Sequence, residues 1–390
     1  MLRFVTAGES HGETLVATVS GMPAGVPVDI ARLNRELWRR QQGFGRGGRM
    51  KIETDRAHIV SGVRHGCTIG SPIAILLQNR DWKNWTAALP VEDYEGSGQH
   101  ARPVNRPRPG HADLAGAIKY DYPEARYILE RASARETAAR VAAGALAKLL
   151  LSEFGIEVLS HVVAVGEVEL GRPAAWHELL ALAARDDVVL NCVDPDVERR
   201  MKAVVEEAIR TKDTCGGVFE VVMRGAPVGL GSHVSWDAKL DGRLAQAIVS
   251  MQAVKGVEIG SAALAAASPG SKVQDTIRYD REAREFARGS NRAGGLEGGI
   301  TNGQDVVVRG YLKPISTLRQ PLESVDLPTR ESASAAYERS DVAVIPAAGV
   351  IGEAMVALTL AAAFLEKFGG DSLGEVRRNF DGYLRQVRSY

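Results

Sequence analysis

Cysteine, lysine and net charge are all in short supply in this chain of 390 residues. Its three cysteines, Cys67, Cys192 and Cys215, are odd in number, far apart and never spaced as C-x-x-C. That excludes a disulfide framework and a thiolate metal site, and a reducing, cytoplasmic setting is expected. Lys+Arg and Asp+Glu both count 48, which leaves no overall field to hold nucleic acid or an acidic membrane, so any anion site must be local. No H-x-x-x-H or H-E-x-x-H spacing occurs, and no metal is expected. Met1-Leu2-Arg3-Phe4-Val5 lacks the apolar run of a signal peptide. The longest apolar stretch, 354–365, is too short to span a bilayer and reads as a buried helix. Arginine, by contrast, is abundant: 37 residues against 11 lysines, each with the planar fork that grips carboxylate and phosphate, although a G+C-rich genome gives the same bias.

Hydrophobic residues at 45% and charged residues at 25% are those of a globular protein, and no Ser/Gly-rich or Pro-rich linker divides the chain. Apolar spacing and end signals predict helices at 30–41, 134–154, 174–185, 195–211, 238–251 and 347–368. Ile30, Leu33, Leu37 and Trp38 share the inner face of the first, Ser133 and Glu136 form a capping box for the second, and Asp194-Pro195 opens the fourth. Strand patterns fall at 2–6, 14–20, 50–63, 73–78, 156–170, 218–224, 256–259 and 305–312. A strand ending in Gly21-Met22-Pro23-Ala24-Gly25 precedes a helix and then Lys51-Ile52-Glu53. A second strand ends in Gly225-Ala226-Pro227-Val228-Gly229 before a helix and then Lys255-Gly256-Val257-Glu258, at the same offset. The expectation is an α+β fold, one 1–390 domain of β-α-β sandwich type, with a pseudo-twofold repeat of β-helix-β halves at roughly 1–150 and 200–370.

Two motifs lack the context that would give them meaning. Gly8-Glu9-Ser10-His11-Gly12 fits G-x-S-x-G, but a strand-like run follows it where a nucleophile elbow needs a helix. Gly43-Phe44-Gly45-Arg46-Gly47-Gly48 fits G-x-G-x-x-G, but a helix precedes it and a strand follows, the reverse of a dinucleotide fingerprint.

The chemistry concentrates in loops. Arg32, Arg35, Arg39, Arg40, Arg46 and Arg49 stand against one acid, Glu36, within 32–49. Arg32, Arg35 and Arg39 fall off the apolar helix face, and those before Arg39 read as a solvated face paired with acids from other segments, whereas Arg46 and Arg49 sit where glycine lets two forks approach a multiply charged anion. Arg102, Arg106 and Arg108 lead through three prolines to Gly110-His111-Ala112-Asp113. His11 and His111 both occupy Gly-flanked loops with an acid nearby, which suggests proton transfer on an anionic substrate. The glycines of 288–303 imply backbone packed closely against something flat or bulky such as a cofactor ring, or else a long surface loop.

Over essentially its whole length the chain resembles the chorismate synthases. The resemblance rests on Thr6-Ala7-Gly8-Glu9-Ser10-His11-Gly12, GFGRGGRMKIE at 43–53, Arg108-Pro109-Gly110-His111-Ala112-Asp113 and Glu130-Arg131-Ala132-Ser133-Ala134-Arg135-Glu136-Thr137. It continues through Lys255-Gly256-Val257-Glu258-Ile259-Gly260, the glycine-rich loop to Gly303, Lys313-Pro314-Ile315-Ser316-Thr317 and Glu338-Arg339-Ser340-Asp341.

The resemblance implies an anti-1,4-elimination of phosphate from 5-enolpyruvylshikimate 3-phosphate to give chorismate, with reduced FMN lending and recovering electron density. It implies that His11 protonates or stabilises the leaving phosphate, His111 sits at the flavin's anionic edge, and Asp341 with Ser10 relays a proton. Arg40, Arg46, Arg49, Arg108 and Arg135 would line the substrate site, Arg40 and Arg46 alternatively meeting NADPH. Arg131, Ala132, Ser133, Gln252, Ala253, Gly298, Lys313, Pro314, Ile315, Ser316, Thr317 and Arg339 would hold FMN. A homotetramer is implied as well, and reduction of the flavin by NADPH or by a separate reductase. Competing readings are a serine hydrolase built on Ser10 and a non-catalytic flavin- or phosphate-binding protein.

Overall fold

The computed structural model describes residues 1–47, 53–282, 285–338 and 340–390. Strand β1 (Arg3–Ala7) pairs with β2 (Thr14–Ser20); then come helix α1 (Ile30–Gln41), strand β3 (His58–Ile59), the small hairpin β4 (Val63–Arg64) and β5 (Cys67–Thr68), and strand β6 (Ile73–Gln78). Alternate residues of β2 and β6, namely Leu15, Ala17, Val19, Ile73, Ile75 and Leu77, are buried, so this antiparallel sheet, ordered β1-β2-β6-β3, covers a core with one face. Helices α2 (Asp113–Tyr120), α3 (Arg126–Ala132) and α4 (Thr137–Ser152) follow.

The second half begins with β7 (Glu157–Val165), β8 (Val168–Glu169), α5 (Trp176–Ala183), α6 (Pro195–Thr211), β9 (Gly217–Arg224), α7 (Leu240–Val249) and β10 (Val254–Ile259). Short helices α8 (Ala262–Ala266) and α9 (Gly270–Val273) lead to the hairpins β11 (Ile277–Asp280) with β12 (Glu285–Arg288) and β13 (Leu296–Glu297) with β14 (Ile300–Thr301). Strand β15 (Val306–Leu312), the hairpin β16 (Glu323–Val325) with β17 (Ser332–Ser334), α10 (Ile345–Phe368) and α11 (Leu373–Ser389) complete the chain. The second sheet is antiparallel, in the order β10-β15-β9-β7-β8.

Helix α4 packs on β1, β2 and β6, α10 packs on β7 and β9, and the two helices pack on each other, so the helices lie between the sheets. Thirteen of the 16 residues of α4 and 20 of the 24 of α10 are buried, as a helix sandwiched on both sides requires. Their contact is close: a Cβ on Gly144 would stand 2.3 Å from the Cβ of Ala354. Helix α10 is longer than the apolar run 354–365 and reaches membrane-spanning length, yet 83% of its most apolar window is buried inside the protein.

Its one charged residue in the buried stretch, Glu353, organises the middle of the structure. Arg39 of α1 bonds it with two guanidinium nitrogens at 2.7 Å, Lys148 of α4 at 2.6 Å and Ser160 of β7 at 2.6 Å. Glu36 joins through Arg39 and Lys148. Burial would raise the Glu36 carboxyl, but those two cations outweigh it and hold it at about 2. Helix α1 buries Leu33, Leu37, Arg39 and Arg40; of the inner face expected of it, Ile30 is instead 41% exposed and Trp38 is half-buried beneath the Arg35 guanidinium. Arg35 itself pairs at the surface with Asp186.

Other sequence expectations shift for local reasons. The capping box does not form: Ser133 Oγ accepts from the Arg135 N–H in a 3-10 turn over Ala134–Glu136, and Glu136 instead accepts from Thr6, Arg140 and Gln252. The strand expected at 50–63 is two short pieces, β3 and the start of β4, and its residues 50–52, with Lys51 and Ile52 of the internal echo, lie outside the described residues. The two Gly-x-Pro-x-Gly turns have the same bonding. Thr68 Oγ1 donates to Pro23 O and accepts from Val26 N–H, and Thr301 Oγ1 donates to Pro227 O and accepts from Leu230 N–H. The glycines of 288–303 meet the chain's own backbone: a Cβ on Gly294 would lie 2.4 Å from Gly260, and one on Gly295 would lie 2.5 Å from the Asp305 carbonyl oxygen. That close approach accounts for Gly294 and Gly295, whereas a Cβ on Gly298 would meet only His233 Cβ, at 3.9 Å.

Two outcomes test this packing. In Gly144→Ala the better helix former gains about 1 kcal/mol of propensity, but the clash with Ala354 opposes it. Urea unfolding should show a net loss of about 1–3 kcal/mol, and an unchanged midpoint would mean the helices can part. Because Glu36 titrates below the 4.5 of an unconstrained glutamate in the folded chain, its contribution is complete above that pH and is lost as pH falls towards 2. Glu36→Gln should therefore flatten the acid limb of the stability curve.

Candidate active site

The loop between β1 and β2 turns at Gly8, where a φ of 102° and the Thr14 carbonyl oxygen, 2.4 Å from where a Cβ would stand, leave no room for a side chain. The turn presents Ser10 and His11 to α3. Glu130 accepts from the His11 backbone N–H at 2.7 Å and lies 2.8 Å from its Nδ1, and the ring stacks on Trp85 at 4.0 Å between centroids. Ser10 donates its N–H to the Glu130 carbonyl and its hydroxyl to Ser133. Arg126 backs Glu130 at 3.3 Å, reaches Glu338, and shares the Trp85 ring with Arg102. Burial would raise the Glu130 carboxyl, but the hydrogen bonds and charge of His11 and the charge of Arg126 hold it below the ordinary glutamate value.

Next to this loop three arginines converge. Arg40, at the end of α1, and Arg135, in the turn before α4, share the two oxygens of Asp55 at 2.8 and 2.6 Å. Arg135 Nε donates to Asn79, whose amide holds the Glu9 and Gly12 carbonyls, so the arginines and the His11 loop form one framework. Arg46 lies 3.3 Å from Asp341, which also accepts from the Gly47 N–H. Burial drives Arg40 below its usual value, and the charges of Arg135 and Arg46 add to that against the pull of Asp55. The buried Nε of Arg40 and Nη2 of Arg135 donate to none of the described residues. Guanidinium edges left in this state are suited to an incoming anion.

His111 is held by a second carboxylate. Its Nδ1 lies 2.5 Å from Asp113, which also accepts from Arg108 Nε at 2.8 Å, and Arg108 Nη1 donates to Thr317. All three guanidinium nitrogens of Arg108 are thus engaged in the loop, the third lying against Asp113 and the His111 ring. Burial opposes ionisation of Asp113, but its bonds to His111 and Arg108 hold it well below the usual carboxylate range. Lys313 Nζ and Ser316 Oγ both donate to the Gly110 carbonyl. A cavity of ≈ 500 Å³ opens beside His111, between 107–111, the outer side of α2 and β16.

The residues expected around a flavin are mostly contiguous. Arg131 donates to Thr6 and Gly8, Thr6 to Glu136, Gln252 to Glu136, and Lys313 N–H to the Ala253 carbonyl; Ala132 and Ser133 follow Arg131, and Thr214 donates to the Ile315 carbonyl beside Pro314. Gln252 Oε1 is buried without a hydrogen-bond partner among the described residues. Gly298 stands apart. Its neighbour Gly299 accepts from Leu240 at the start of α7, whereas Gln252 and Ala253 follow the end of that ten-residue helix, about 15 Å away at 1.5 Å per residue. Ser10 and Asp341 likewise meet different partners, Ser133 for one and Arg46 with Gly47 for the other. Arg49 and Arg339 lie outside the described residues.

A strand, β2, follows Gly12, so the serine-nucleophile elbow is not built. Sequence reasoning missed Asp55, Asn79, Trp85 and Arg126, and it quoted Glu130 without assigning it a role. The one available signal was the spacing of Arg126 and Glu130, an i,i+4 ion pair on a helix.

Comparison with known proteins agrees with this geometry. The family model described as chorismate synthase matches residues 2–365. Chorismate synthase of Solibacter usitatus is 74% identical over 390 residues, and that of Acidobacterium capsulatum 66% identical over 395, each covering all of both chains. A crystal structure of a chorismate synthase superposes with a TM-score of 0.79 at 42% identity, over 100% of this chain and 99% of the other. The chain belongs to the chorismate synthase family.

Proposed function

We propose that this chain carries out the chorismate synthase reaction, anti-1,4-elimination of phosphate from 5-enolpyruvylshikimate 3-phosphate, with reduced FMN as cofactor and His11 and His111 as its proton-handling groups. The observation that carries this reading is the juxtaposition of a carboxylate-anchored histidine with buried guanidinium nitrogens, Arg40 Nε and Arg135 Nη2, that make no hydrogen bond to the described residues, the latter lying 3.8 Å from Glu53. A substrate with two carboxylates and a phosphate would satisfy Arg40, Arg46 and Arg135, and Arg49 by resemblance. Arg108, fully engaged with Asp113, Thr317 and His111, is better suited to holding the His111 loop than to direct contact.

The residues fit a flavin. The unpartnered Gln252 Oε1 calls for an N–H donor, and Lys313, Ser316 and the hydroxyl of Ser133 offer what a phosphate chain needs. The contacts linking Arg131, Ala132 and Ser133 to Gln252, Ala253 and Lys313–Thr317 support one cradle, which Arg339 would complete; Gly298 is the member with least support. Reduced FMN, when bound, lends electron density as phosphate departs and takes it back as the ring hydrogen is lost, with no net redox change. His11 protonates the phosphate oxygen as the C–O bond breaks. His111, held by Asp113, controls the proton at the far side, and Asp341 with Ser10 relays it. NADPH near Arg40 and Arg46, or a separate reductase, supplies the reducing equivalents.

The same reading treats 1–390 as one domain of two related β-helix-β halves, which the matching bonds of the Thr68 and Thr301 turns support. It also takes the protein to be a cytoplasmic homotetramer.

Anaerobic turnover decides the matter. Chemically reduced FMN and substrate should give phosphate and the chorismate diene in step. His11→Ala and His111→Ala should each lower kcat by roughly 10²–10⁴. Binding of FMN without either product would leave only a flavin-binding protein.

A further inference from the structure

Glu130 holds two atoms of one residue. Oε2 accepts from the His11 backbone N–H at 2.7 Å, and Oε1 stands 2.8 Å from His11 Nδ1. A carboxylate only accepts and a backbone amide only donates, so the Nδ1 of His11 must carry a proton. The Glu130 side chain has no solvent exposure, and Arg126 at 3.3 Å secures its charge. The other face of the arrangement is Trp85, stacked on the imidazole, with Arg102 and Arg126 over its indole and Glu338 behind Arg126; Glu9 belongs to the same loop.

We infer that Glu130 is a positioning residue that fixes His11 in its Nδ1–H tautomer, so that proton exchange with the departing phosphate is confined to Nε2. The inference rests on the acid role proposed above and deepens it. As the C–O electron pair passes to the phosphate oxygen, that oxygen takes the Nε2 proton. The imidazolium becomes a neutral ring already in the form Glu130 binds, with no rearrangement of the loop.

Glu130→Gln keeps the volume and offers one acceptor where two are needed. The backbone N–H of His11 cannot turn away and takes the amide oxygen. Arg126 can turn, since it also bonds Glu338 and the Arg102 carbonyl. The amide nitrogen then faces Nδ1, which must become an acceptor, and the proton of the neutral ring moves to Nε2.

The test is ¹⁵N NMR of histidine-labelled, unliganded protein at a pH where the ring is neutral, the His11 signals being identified by their loss in His11→Ala. The wild type should show the Nδ1–H pattern and Glu130→Gln the Nε2–H pattern with native circular dichroism. Turnover should fall on the order of 10²–10⁴ in kcat, with KM changed only a few-fold. Glu130→Ala presents no donor to Nδ1, so Gln should be at least as damaging as Ala. A purely structural Glu130 would reverse that order. Retention of the Nδ1–H tautomer in Glu130→Gln, or its loss with turnover intact, overturns the inference. If the wild type makes no chorismate, the proposed function fails while the tautomer comparison still stands or falls by itself.

Discussion

The close crossing of α4 and α10 is the constraint on which the rest of the architecture depends. Two helices buried on nearly every side can serve two sheets at once only if their own separation is small, and Gly144 against Ala354 provides that. Fixing α4 fixes what lies just before it: Ser133, Arg135 and Glu136, which meet Ser10, Asp55 and Thr6. Fixing α10 likewise places the segment that enters it, where Asp341 meets Arg46. The reactive loops are therefore borne on rigid elements rather than on other loops.

Charge compensation at the site follows a consistent rule. Each buried arginine leans on a carboxylate: Arg40 and Arg135 on Asp55, Arg46 on Asp341, Arg108 on Asp113, Arg126 on Glu130. The pairing keeps guanidinium groups charged in a low-dielectric interior without neutralising every donor edge. Burial alone would act against all of these ions. Asp55, Asp113 and Glu130 are held low by their partners, and the arrangement is poised to accept further negative charge.

Much of this was legible in the sequence where local chemistry dictates it. Glycine and proline mark the loops that carry His11 and His111, and Asp194-Pro195 opens α6 as expected. The Ser133 box failed because a nearby carboxylate has a choice of partners that only the fold supplies. The partner of Arg39 was not legible, because the carboxylate that draws it inward is 314 positions away. Distance in sequence also hid Glu130, Asp55 and Trp85: nothing near His11 indicates that it meets an acid 119 positions away or the Trp85 ring. Within 288–303, Gly294 and Gly295 make the close approach expected of them, and their neighbour is the chain itself.

Glu353 has a consequence before the fold is complete. A nascent segment of 24 residues, with a window of mean hydropathy 1.9, is long and apolar enough to be handled as a membrane span. An ionised side chain near its centre makes bilayer insertion less favourable by roughly 2.5–3.5 kcal/mol. The carboxylate that joins α1, α4, β7 and α10 in the finished protein thus also biases the emerging helix away from lipid, towards the arginine and lysine that will receive it.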